Sequence, residues 1–477
     1  MTSFLLGPII GGLSHDRANL WARASGPATL HAWIGSESDL SDARLVGTTP
    51  LGALSGYAGM VTADGLESDN RYYYALTKTE HTPDPAQGPY SSFRTAPDKD
   101  SPIAFAFGSC FCPGDEHGGR IFKSLSERIK PDDLRFVLML GDQIYADKPH
   151  CHKINKIATT LKDYRAVYEY AWSRPNFQAL LAELPTFMIL DDHEVDDDWA
   201  WLDADRERAQ IPWRNRFWRW LVGRSLPERT LPRVRVQNAL QAYWEHQGMH
   251  APPPLRIPQP NVSGQFRMDS DDSGSLAYKF DFGDAAFFVL DTRTRRVRSR
   301  KEHQMLGENQ WAAFEAWLQH VKDRKTFKFV VTSSSMLGDF IVDLARDRWS
   351  GFPIEQRRML SLIALYGVEG VIFLVGDLHS GHAIRVDMYG PDGRTIPVWE
   401  FCSSPFEQDV NFLARWPWLL RHTTQGPVRC GEVYWTAAEH NFGVVKVTHG
   451  VDRAPDVRFV LFGTAGKEIR SVSTSDP

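Results

Sequence analysis

Acidic, histidine and cysteine side chains follow the short apolar runs of this sequence, at the point where each run ends. A single Asp in such a position is common, because Asp caps the turn or helix that follows a strand. Capping does not explain a whole set of polar ends, since ligands of open α/β sheets bind beyond the carboxyl ends of the strands. These ends are Gly108-Ser109-Cys110, Gly141-Asp142-Gln143-Ile144-Tyr145, Asp191-Asp192-His193-Glu194, Asp291-Thr292-Arg293 and Gly376-Asp377-Leu378-His379. They predict one shared site at the edge of a sheet.

The carboxylates in this set require a counter-charge. Asp142, Asp192 and Asp377 would repel one another at one sheet edge and shift one another's pKa unless a cation lay between them. Their hard oxygens suit Ca²⁺, Mg²⁺ or Mn²⁺. The sequence therefore predicts a metal site.

The remaining predicted ligands are softer. Cys110, Tyr145 and His379 offer a thiolate, a phenolate and an imidazole, which suit a transition metal such as Fe or Zn. Taken alone, Cys110 is more often a small core residue and Tyr145 a core aromatic. A purely structural role is less convincing for Asp377 and His379, because alternate residues of an extended segment point the same way. We therefore expect two unlike metals, with Asp142 between them.

Strands that alternate with helices must position these side chains. The pattern changes at residue 102, where continuous apolar runs begin to alternate with segments of helical spacing, which is typical of an α/β core covered on both sheet faces. Strands are predicted at 103–107, 136–140, 187–190, 286–290, 327–331 and 371–375, and helices at 121–129, 309–321 and 354–365. The catalytic domain is therefore expected to span 102–477.

The first part of the chain has a different pattern of apolar and polar residues. Ala18–Arg23, Thr29–Ile34 and Arg71–Leu76 alternate apolar and polar residues and are separated by turn residues. This spacing predicts a small β-sandwich of the immunoglobulin or fibronectin kind over residues 1–98. The Pro- and Asp-rich segment 96–102 has the composition of a linker.

A Trp- and Arg-rich stretch interrupts the α/β pattern at 199–256, and it includes Trp213-Arg214-Asn215-Arg216-Phe217-Trp218-Arg219-Trp220. We expect an insertion whose aromatic side chains pack over the core while its arginines pair with carboxylates or reach solvent. The alternative is a helix that binds a membrane surface or nucleic acid.

Length, composition and net charge limit the number of domains and the kinds of partner that are expected. The chain has 477 residues, which favours two domains, and 42% hydrophobic with 24% charged residues, as in an ordinary folded protein. A net charge of −5 argues against nucleic acid as an obligate partner. No apolar run reaches the length of a transmembrane helix, so no membrane span is expected. Composition leaves the oligomeric state open.

Cysteines and the first residues bear on the compartment. The five cysteines, an odd number in a long chain, argue against a disulfide framework. The segment Met1–Pro8 lacks the basic and small-residue features of a signal peptide. The expected location is cytoplasmic for the chain as given, and periplasmic or secreted if a signal was trimmed.

The ordered set of strand ends resembles the alkaline phosphatase D (PhoD-like) branch of the calcineurin-like metallophosphoesterases. The resemblance covers about residues 100–405, and the β-rich segment before it also resembles this family's N-terminal domain. Further matching residues are Val195 and Trp199 after the third end, and Trp349-Ser350-Gly351-Phe352-Pro353. No single motif is specific, whereas the order and spacing of the set are.

The resemblance implies a four-layer α/β/β/α metallophosphoesterase domain after a small N-terminal β-sandwich. It also implies a mixed-metal centre with Fe³⁺ and Ca²⁺ as the expected pair and Zn, Mn or Mg as alternatives. By analogy, the ligands of the first metal are Cys110, Asp142, Tyr145 and His379. The ligands of the second metal are Asp142, Asp192 and Asp377.

Two further residues are expected to act on the phosphate. His193 resembles the catalytic histidine of the superfamily and would hydrogen-bond a phosphate oxygen or protonate the leaving group. Arg293 would steady a phosphate oxygen through its planar fork, or alternatively pair with Asp291 or a neighbouring carboxylate. A hydroxide held between the two cations would attack phosphorus in line.

Two positions depart from the family pattern. The superfamily usually carries another metal-binding His after a middle strand, where this chain has Thr332-Ser333-Ser334-Ser335-Met336. Asp196-Asp197-Asp198 stands where this branch often has Asn. These extra carboxylates would either recruit another cation or be solvated.

The expected function is metal-dependent hydrolysis of a small-molecule or polymeric phosphate ester, as a phosphatase or phosphodiesterase. A phosphotriesterase and an inactive phosphate-ligand binding protein on the same fold are the alternatives. A serine-nucleophile hydrolase is disfavoured, because the Gly-x-Ser-x-Gly elbow is missing.

Overall fold

The computed structural model describes residues 4–99, 101–114, 118–200, 231–256, 266–268, 274–298, 303–341, 347–448 and 455–476. These residues form 24 β-strands and six α-helices. The strands of the first half are β1 (Leu6–Gly11), β2 (Arg17–Arg23), β3 (Ala28–Gly35), β4 (Arg44–Leu51), β5 (Ala58–Asp64), β6 (Arg71–Thr77), β7 (Ser91–Arg94), β8 (Ile103–Gly108), β9 (Leu134–Met139) and β10 (Thr186–Met188). Those of the second half are β11 (Tyr278–Phe282), β12 (Ala285–Val289), β13 (Val297–Arg298), β14 (His303–Gln304), β15 (Phe327–Val331), β16 (Gly338–Phe340), β17 (Val371–Val375), β18 (Gly381–Tyr389), β19 (Thr395–Cys402), β20 (Leu420–His422), β21 (Val428–Ala437), β22 (Asn441–Thr448), β23 (Asp456–Gly463) and β24 (Glu468–Ser473). The helices are α1 (Arg120–Ser126), α2 (Leu161–Trp172), α3 (Pro175–Glu183), α4 (Arg233–Tyr243), α5 (Glu308–Val321) and α6 (Pro353–Leu365).

Two large sheets pack face to face at the centre of the described chain. The first has nine strands in the order β24-β23-β22-β8-β9-β10-β1-β2-β5, and the second has seven in the order β11-β12-β15-β17-β19-β18-β21. Phe105 on β8 lies with its ring 5.4 Å from that of Phe287 on β12 and 5.3 Å from that of Phe329 on β15. Aromatic side chains from both sheets therefore fill the space between them.

Helices cover the outer face of each sheet, which explains why the central strands are apolar on both faces. On the first sheet, Phe122 of α1 packs 4.4 Å from Phe177 of α3 within a core that also holds residues of α2 and α4. On the second sheet, Trp317 of α5 packs 5.3 Å from Phe288 of β12. The four layers are α/β/β/α, and the predicted fold class is confirmed.

The N-terminal strands form two layers, one of which is shared with the central sheet. Strands β4-β3-β6-β7 make a separate four-stranded sheet. Strands β1, β2 and β5 extend the nine-stranded sheet, because Gly11 of β1 pairs in parallel with Thr186 of β10. Leu20, Leu30 and Tyr74 belong to the same buried core as the central phenylalanines. The boundary at residues 98–102 stays a prediction, and hydrogen bonds cross it.

The described part of the 199–256 segment packs on the first sheet's helices. α4 continues into a π-helical turn at Trp244–Gly248, and the Trp244 ring stacks 4.8 Å from that of Phe266. The buried guanidinium of Arg235 lies 3.0 Å from a carboxylate oxygen of Asp196. An aromatic side chain packed on the core and an arginine paired with a carboxylate are the kinds of contact expected for the insertion. The Trp213–Trp220 run lies outside the described residues. The alternative of a helix that binds a membrane surface or nucleic acid therefore stays a prediction.

The structure corrects the expectation about disulfides. Cys112 and Cys151, which lie 39 positions apart in sequence, are joined by a disulfide, and Cys110, Cys402 and Cys430 are free. An odd cysteine count excludes complete pairing but leaves room for one bond, and spacing alone does not show which side chains meet. Among the described residues, no helix is long and apolar enough to cross a membrane.

Candidate metal centre

The predicted ligands leave parallel strands of both sheets and meet at their carboxyl ends. β8, β9 and β10 are parallel neighbours in the first sheet, and β17 lies among the parallel strands of the second. The Asp377 amide donates to Ser109 Oγ at 3.1 Å, which joins the segment after β17 to the segment after β8. The ligands follow their strands as Cys110 after β8, Asp142 and Tyr145 after β9, Asp192 after β10, and Asp377 and His379 after β17.

The Asp142 carboxylate lies at the middle of this group. The Cys110 thiol lies 3.4 Å and the Tyr145 hydroxyl 3.2 Å from Asp142 Oδ2. The Tyr145 hydroxyl is also 3.2 Å from Nε2 of His379. Donor atoms of Cys110, Asp142 and His379 all lie within 4.8 Å of one another. A thiol, a phenol and an imidazole thus surround one side of this carboxylate.

Carboxylates gather on the other side of Asp142. Its oxygen lies within 4.8 Å of donor atoms of Asp192 and His193, and within 4.8 Å of those of Asp191 and Asp377. The six predicted ligands are therefore in one cluster, and Asp142 contacts both halves of it. Their coordination of metal ions stays a prediction.

Four of these residues have a left-handed backbone, which is uncommon outside glycine. The φ angles are 64° at Cys110, 55° at Asp142, 65° at Asp377 and 51° at His379. Such conformations cost about 1–3 kcal/mol each and persist where the surrounding structure imposes them, often at functional sites. Gly141 takes φ 96°, and a Cβ there would lie 2.4 Å from Cβ of Asp191. The backbone therefore takes this left-handed conformation at four of the six predicted ligands.

The ionisation of the cluster shows that it fits a cation. Burial, reinforced by Cys110 and neighbouring carboxylates, raises the pKa of Asp142 well above its usual value. Burial also raises the pKa of Asp192 to about 6 and that of Asp377 to about 8, and it raises the pKa of the Cys110 thiol to about 12. Asp192 Oδ1 accepts no hydrogen bond from the described residues. A cation would stabilise the charged forms and displace their protons, and Asp192 Oδ1 has a lone pair available for it.

His193 is held by a carboxylate that the sequence did not single out. Its Nδ1 lies 2.7 Å from Oδ1 of Asp147, and its ring lies 4.2 Å from that of Tyr145. Burial alone would lower the pKa of His193, but Asp192 and Asp147 raise it to about 10. The charged imidazolium is therefore favoured, and its Nε2 lies 3.9 Å from Oδ1 of Asp197. Asp147 stands two residues after Tyr145, and a search for acidic residues near the strand ends would have found it.

Replacing Asp147 with Asn should lower kcat by about 10- to 100-fold at unchanged metal content, which is the usual effect of losing a partner that orients a functional group. Because Asp147 raises the pKa of His193, the alkaline limb of the pH–rate profile should move to lower pH. Steady-state kinetics over pH with elemental analysis would measure both. An unchanged kcat and profile would show that Asp147 does not orient His193.

Arg293 lies beneath the cluster and is fully buried. Its guanidinium is 2.5 Å from Asp191, 2.8 Å from Asp347 and 3.4 Å from Asp192. Asp291, the partner named from the sequence, instead accepts the backbone N–H of Arg293 at 3.2 Å. The geometry favours ion pairing with neighbouring carboxylates. A direct contact between Arg293 and a phosphate oxygen stays a prediction.

The side chains at the two positions that depart from the family pattern have partners within the protein. Asp196 pairs with Arg235, and Lys148 lies 3.6 Å from Asp197. In place of a histidine, Ser333 donates to Asp191 at 2.8 Å. The buried Glu400 carboxylate accepts the backbone N–H groups of residues 336–338 and so fixes the loop after β15. His382 also contacts Glu400, at 2.8 Å, and lies fully buried on β18.

Three supporting residues were missed. Glu194 accepts the backbone N–H groups of Asp142, Gln143 and Asp191, at 2.8 to 3.1 Å, and thereby joins the segments after β9 and β10. Ser109 and Ser404 place hydroxyls 3.2 Å and 3.3 Å from the Cys110 sulfur. Hydrogen bonds to a sulfur ligand tune it, so both serines bear on the metal site. Glu194 was visible in its motif, whereas Ser404 follows β19, a strand that the sequence did not predict.

Two packed sheets with a carboxylate-centred cluster at their carboxyl edge define the metallophosphoesterase class. The chain belongs to the PhoD-like phosphatase family, whose family model matches residues 105–427. Alkaline phosphatase D of Bacillus subtilis (strain 168) is 28% identical over 357 residues, which is 68% of this chain. The chain spans about half the length of this curated relative, at 53%.

Solved structures show the same fold. A structure of PhoD superimposes with a TM-score of 0.66 at 20% identity, and the alignment covers 99% of this chain and 93% of that one. Purple acid phosphatase PPD1 from yellow lupin (Lupinus luteus) seeds gives a TM-score of 0.54 at 11% identity, covering 98% and 73%. Sequence-based recognition of the family is confirmed.

Proposed function

We propose that this protein hydrolyses phosphate esters at a metal centre that contains Asp142. The observation that carries the proposal is the position of the Asp142 carboxylate, within 4.8 Å of a thiol and an imidazole on one side and of further carboxylates on the other. Two unlike donor sets joined by one carboxylate suit a pair of unlike ions. Membership of the PhoD-like phosphatase family supports the same reaction.

The finer assignment is Fe³⁺ held by Cys110, Asp142, Tyr145 and His379. Ca²⁺ would be held by Asp142, Asp192 and Asp377. A bound metal pair supplies positive charge for the phosphoryl oxygens and acidifies water. Zn²⁺, Mn²⁺ and Mg²⁺ are the alternatives that elemental analysis would distinguish. Burial excludes bulk water from most of these ligands, whereas Asp377 and His379 are partly exposed and so mark the open side of the site.

His193 is the group of this chain that we expect to move a proton. Asp147 holds Nδ1, so Nε2, which lies 3.9 Å from Oδ1 of Asp197, is the atom that would donate to a phosphate oxygen or to the leaving alcohol. Arg293 pairs with Asp191 and Asp192 and holds them in position from below. The reaction class is thus hydrolysis of a P–O bond, with phosphomonoesters and phosphodiesters as the proposed substrates.

The test is elemental analysis of the purified protein together with hydrolysis of p-nitrophenyl phosphate and its bis-ester, before and after chelation. We expect bound metal and turnover that falls to background on chelation and returns when metal is restored. Turnover that ignores the chelator would favour a serine-type hydrolase. Metal binding without turnover on either ester, or on a phosphotriester, would favour the inactive binding protein.

The proposed compartment is one outside the cytoplasm. Of the two locations that the sequence left open, the Cys112–Cys151 disulfide supports the periplasmic or secreted one, since disulfides persist in oxidising environments. Counting free thiols in protein recovered from each cell fraction would test this. Five free thiols in cytoplasmic protein, with none exported, would contradict it.

A further inference from the structure

We propose that Cys112, Cys151 and His150 form a redox-controlled metal site, closed as a disulfide when oxidised and able to hold a soft divalent cation such as Zn²⁺ when reduced. The site adjoins the cluster around Asp142 but shares no donor residue with it, and the inference does not depend on the proposed hydrolysis.

The first observation is the donor set itself. A ring nitrogen of His150 and the sulfurs of Cys112 and Cys151 lie within 4.8 Å of one another. Two thiolates and an imidazole are a donor set that Zn²⁺ binds, with water as a fourth ligand. The Cα atoms of the two cysteines are 5.0 Å apart, so rotation about their Cα–Cβ bonds is enough to separate the sulfurs around an ion.

The second observation is that the local backbone presents His150 and Cys151 together. Two successive turns, in which the Lys148 amide donates to the Tyr145 carbonyl and the Cys151 amide to the Lys148 carbonyl, lead from Tyr145 to Cys151. His150 lies in the short 3₁₀ turn between them and is exposed, whereas both cysteines are buried. An ion would therefore enter past the imidazole and bind the sulfurs behind it.

The third observation is the position of the disulfide. It joins the loop that carries Cys110 to the loop that carries Tyr145, and the side chains of Cys110, Cys112, Tyr145 and Cys151 pack as one cluster. An ion held by both sulfurs would keep the two loops joined after reduction.

The redox step is balanced by a dithiol. A small dithiol such as dithiothreitol transfers two electrons and two protons to the disulfide, which gives two protein thiols and a cyclic disulfide. Zn²⁺ binding then releases the protons of these thiols.

The experiment compares the oxidised and reduced forms of the full chain. Free thiols counted after denaturation should rise from three to five on treatment with dithiothreitol. After removal of the dithiol without oxygen, the reduced protein should bind one more Zn²⁺ per chain than the oxidised protein in equilibrium dialysis. Co²⁺ in place of Zn²⁺ should give a stronger thiolate-to-cobalt absorption band in the reduced form than in the oxidised form, where Cys110 is the thiolate proposed as a ligand.

Variants locate the extra ion. Cys112→Ser with Cys151→Ser should abolish the gain, and His150→Ala should weaken it by about tenfold or more. Cys430→Ser, which removes an exposed free cysteine, should leave the gain intact. Cys110→Ser should also retain it, even if that variant loses the metal of the cluster around Asp142, so failure of the proposed function would be seen separately.

Three results would overturn the proposal. They are a thiol count that stays at three, equal Zn²⁺ binding by the two forms, and a gain that survives in the double serine variant. Unchanged affinity in His150→Ala would remove the imidazole from the site.

Discussion

Replacing Asp142 with Asn is expected to abolish phosphate ester hydrolysis and to lower metal content in the same protein. This carboxylate contacts both halves of the cluster, so an amide there removes the one negative charge that they share and one of its two oxygen atoms. Loss of a residue that merely supports a ligand costs about 10- to 100-fold, so we expect a larger loss here. The measurement is elemental analysis alongside kcat/KM on p-nitrophenyl phosphate.

Asp132→Asn is the matched control. Asp132 precedes β9, whereas Asp142 follows it, and both side chains are buried. Asp132 pairs with Arg128 and Lys446 far from the metal centre, so its replacement should lower stability but retain metal and turnover. Asp142→Asn with normal metal and normal turnover would exclude the bridging position.

Replacing His193 with Ala should separate metal binding from catalysis. The imidazole Nδ1 is hydrogen-bonded to Asp147, and neighbouring carboxylates raise the pKa of His193 to about 10, so the charged form, which donates protons and does not bind metal, is favoured. We expect metal content to stay near that of the wild type while kcat falls by about 10²- to 10⁴-fold, the usual contribution of a positioned acid or base.

The leaving group provides a second test of His193. Esters with acidic leaving alcohols need little protonation, so the loss in kcat should be smallest for p-nitrophenyl esters and larger for alkyl esters. His31→Ala, a buried histidine of the N-terminal sheet, should leave both rates unchanged. Equal losses for both kinds of ester would remove the proton-donor role, and unchanged turnover would remove His193 from the mechanism.

The sequence predicted the ligand cluster because one physical rule governs it. Parallel strands buried on both faces are continuous apolar runs, and their carboxyl ends share one sheet edge. Predicted strands 327–331 and 371–375 agree with β15 and β17, and most other boundaries differ by one or two residues. Short strands with strong apolar patterning and polar ends are well determined by local sequence.

The missed features depend on contacts between distant segments. Ser404 reaches Cys110 across 294 positions, and the disulfide depends on how two loops fold over α-helical neighbours. The continuity of β1 with β10 likewise rests on pairing across the predicted linker. From the sequence, several carboxylates could pair with Arg293. Only the folded structure shows that Asp191 and Asp347 do so. Local patterns carry no information on such partners.

The order of the strands in the nine-stranded sheet also has a consequence for biosynthesis. β8, which leads to Cys110, lies between β9 and β22, and β22 comes from Asn441–Thr448. Asn441 additionally bonds Ser403 and the Ser404 carbonyl, beside the Cys110 sulfur. During synthesis, β8 therefore lacks one of its two neighbouring strands until β22, more than three hundred codons downstream, has been made. We therefore expect metal to bind only after β22 has been made, and nascent chains stalled before β22 should carry no metal.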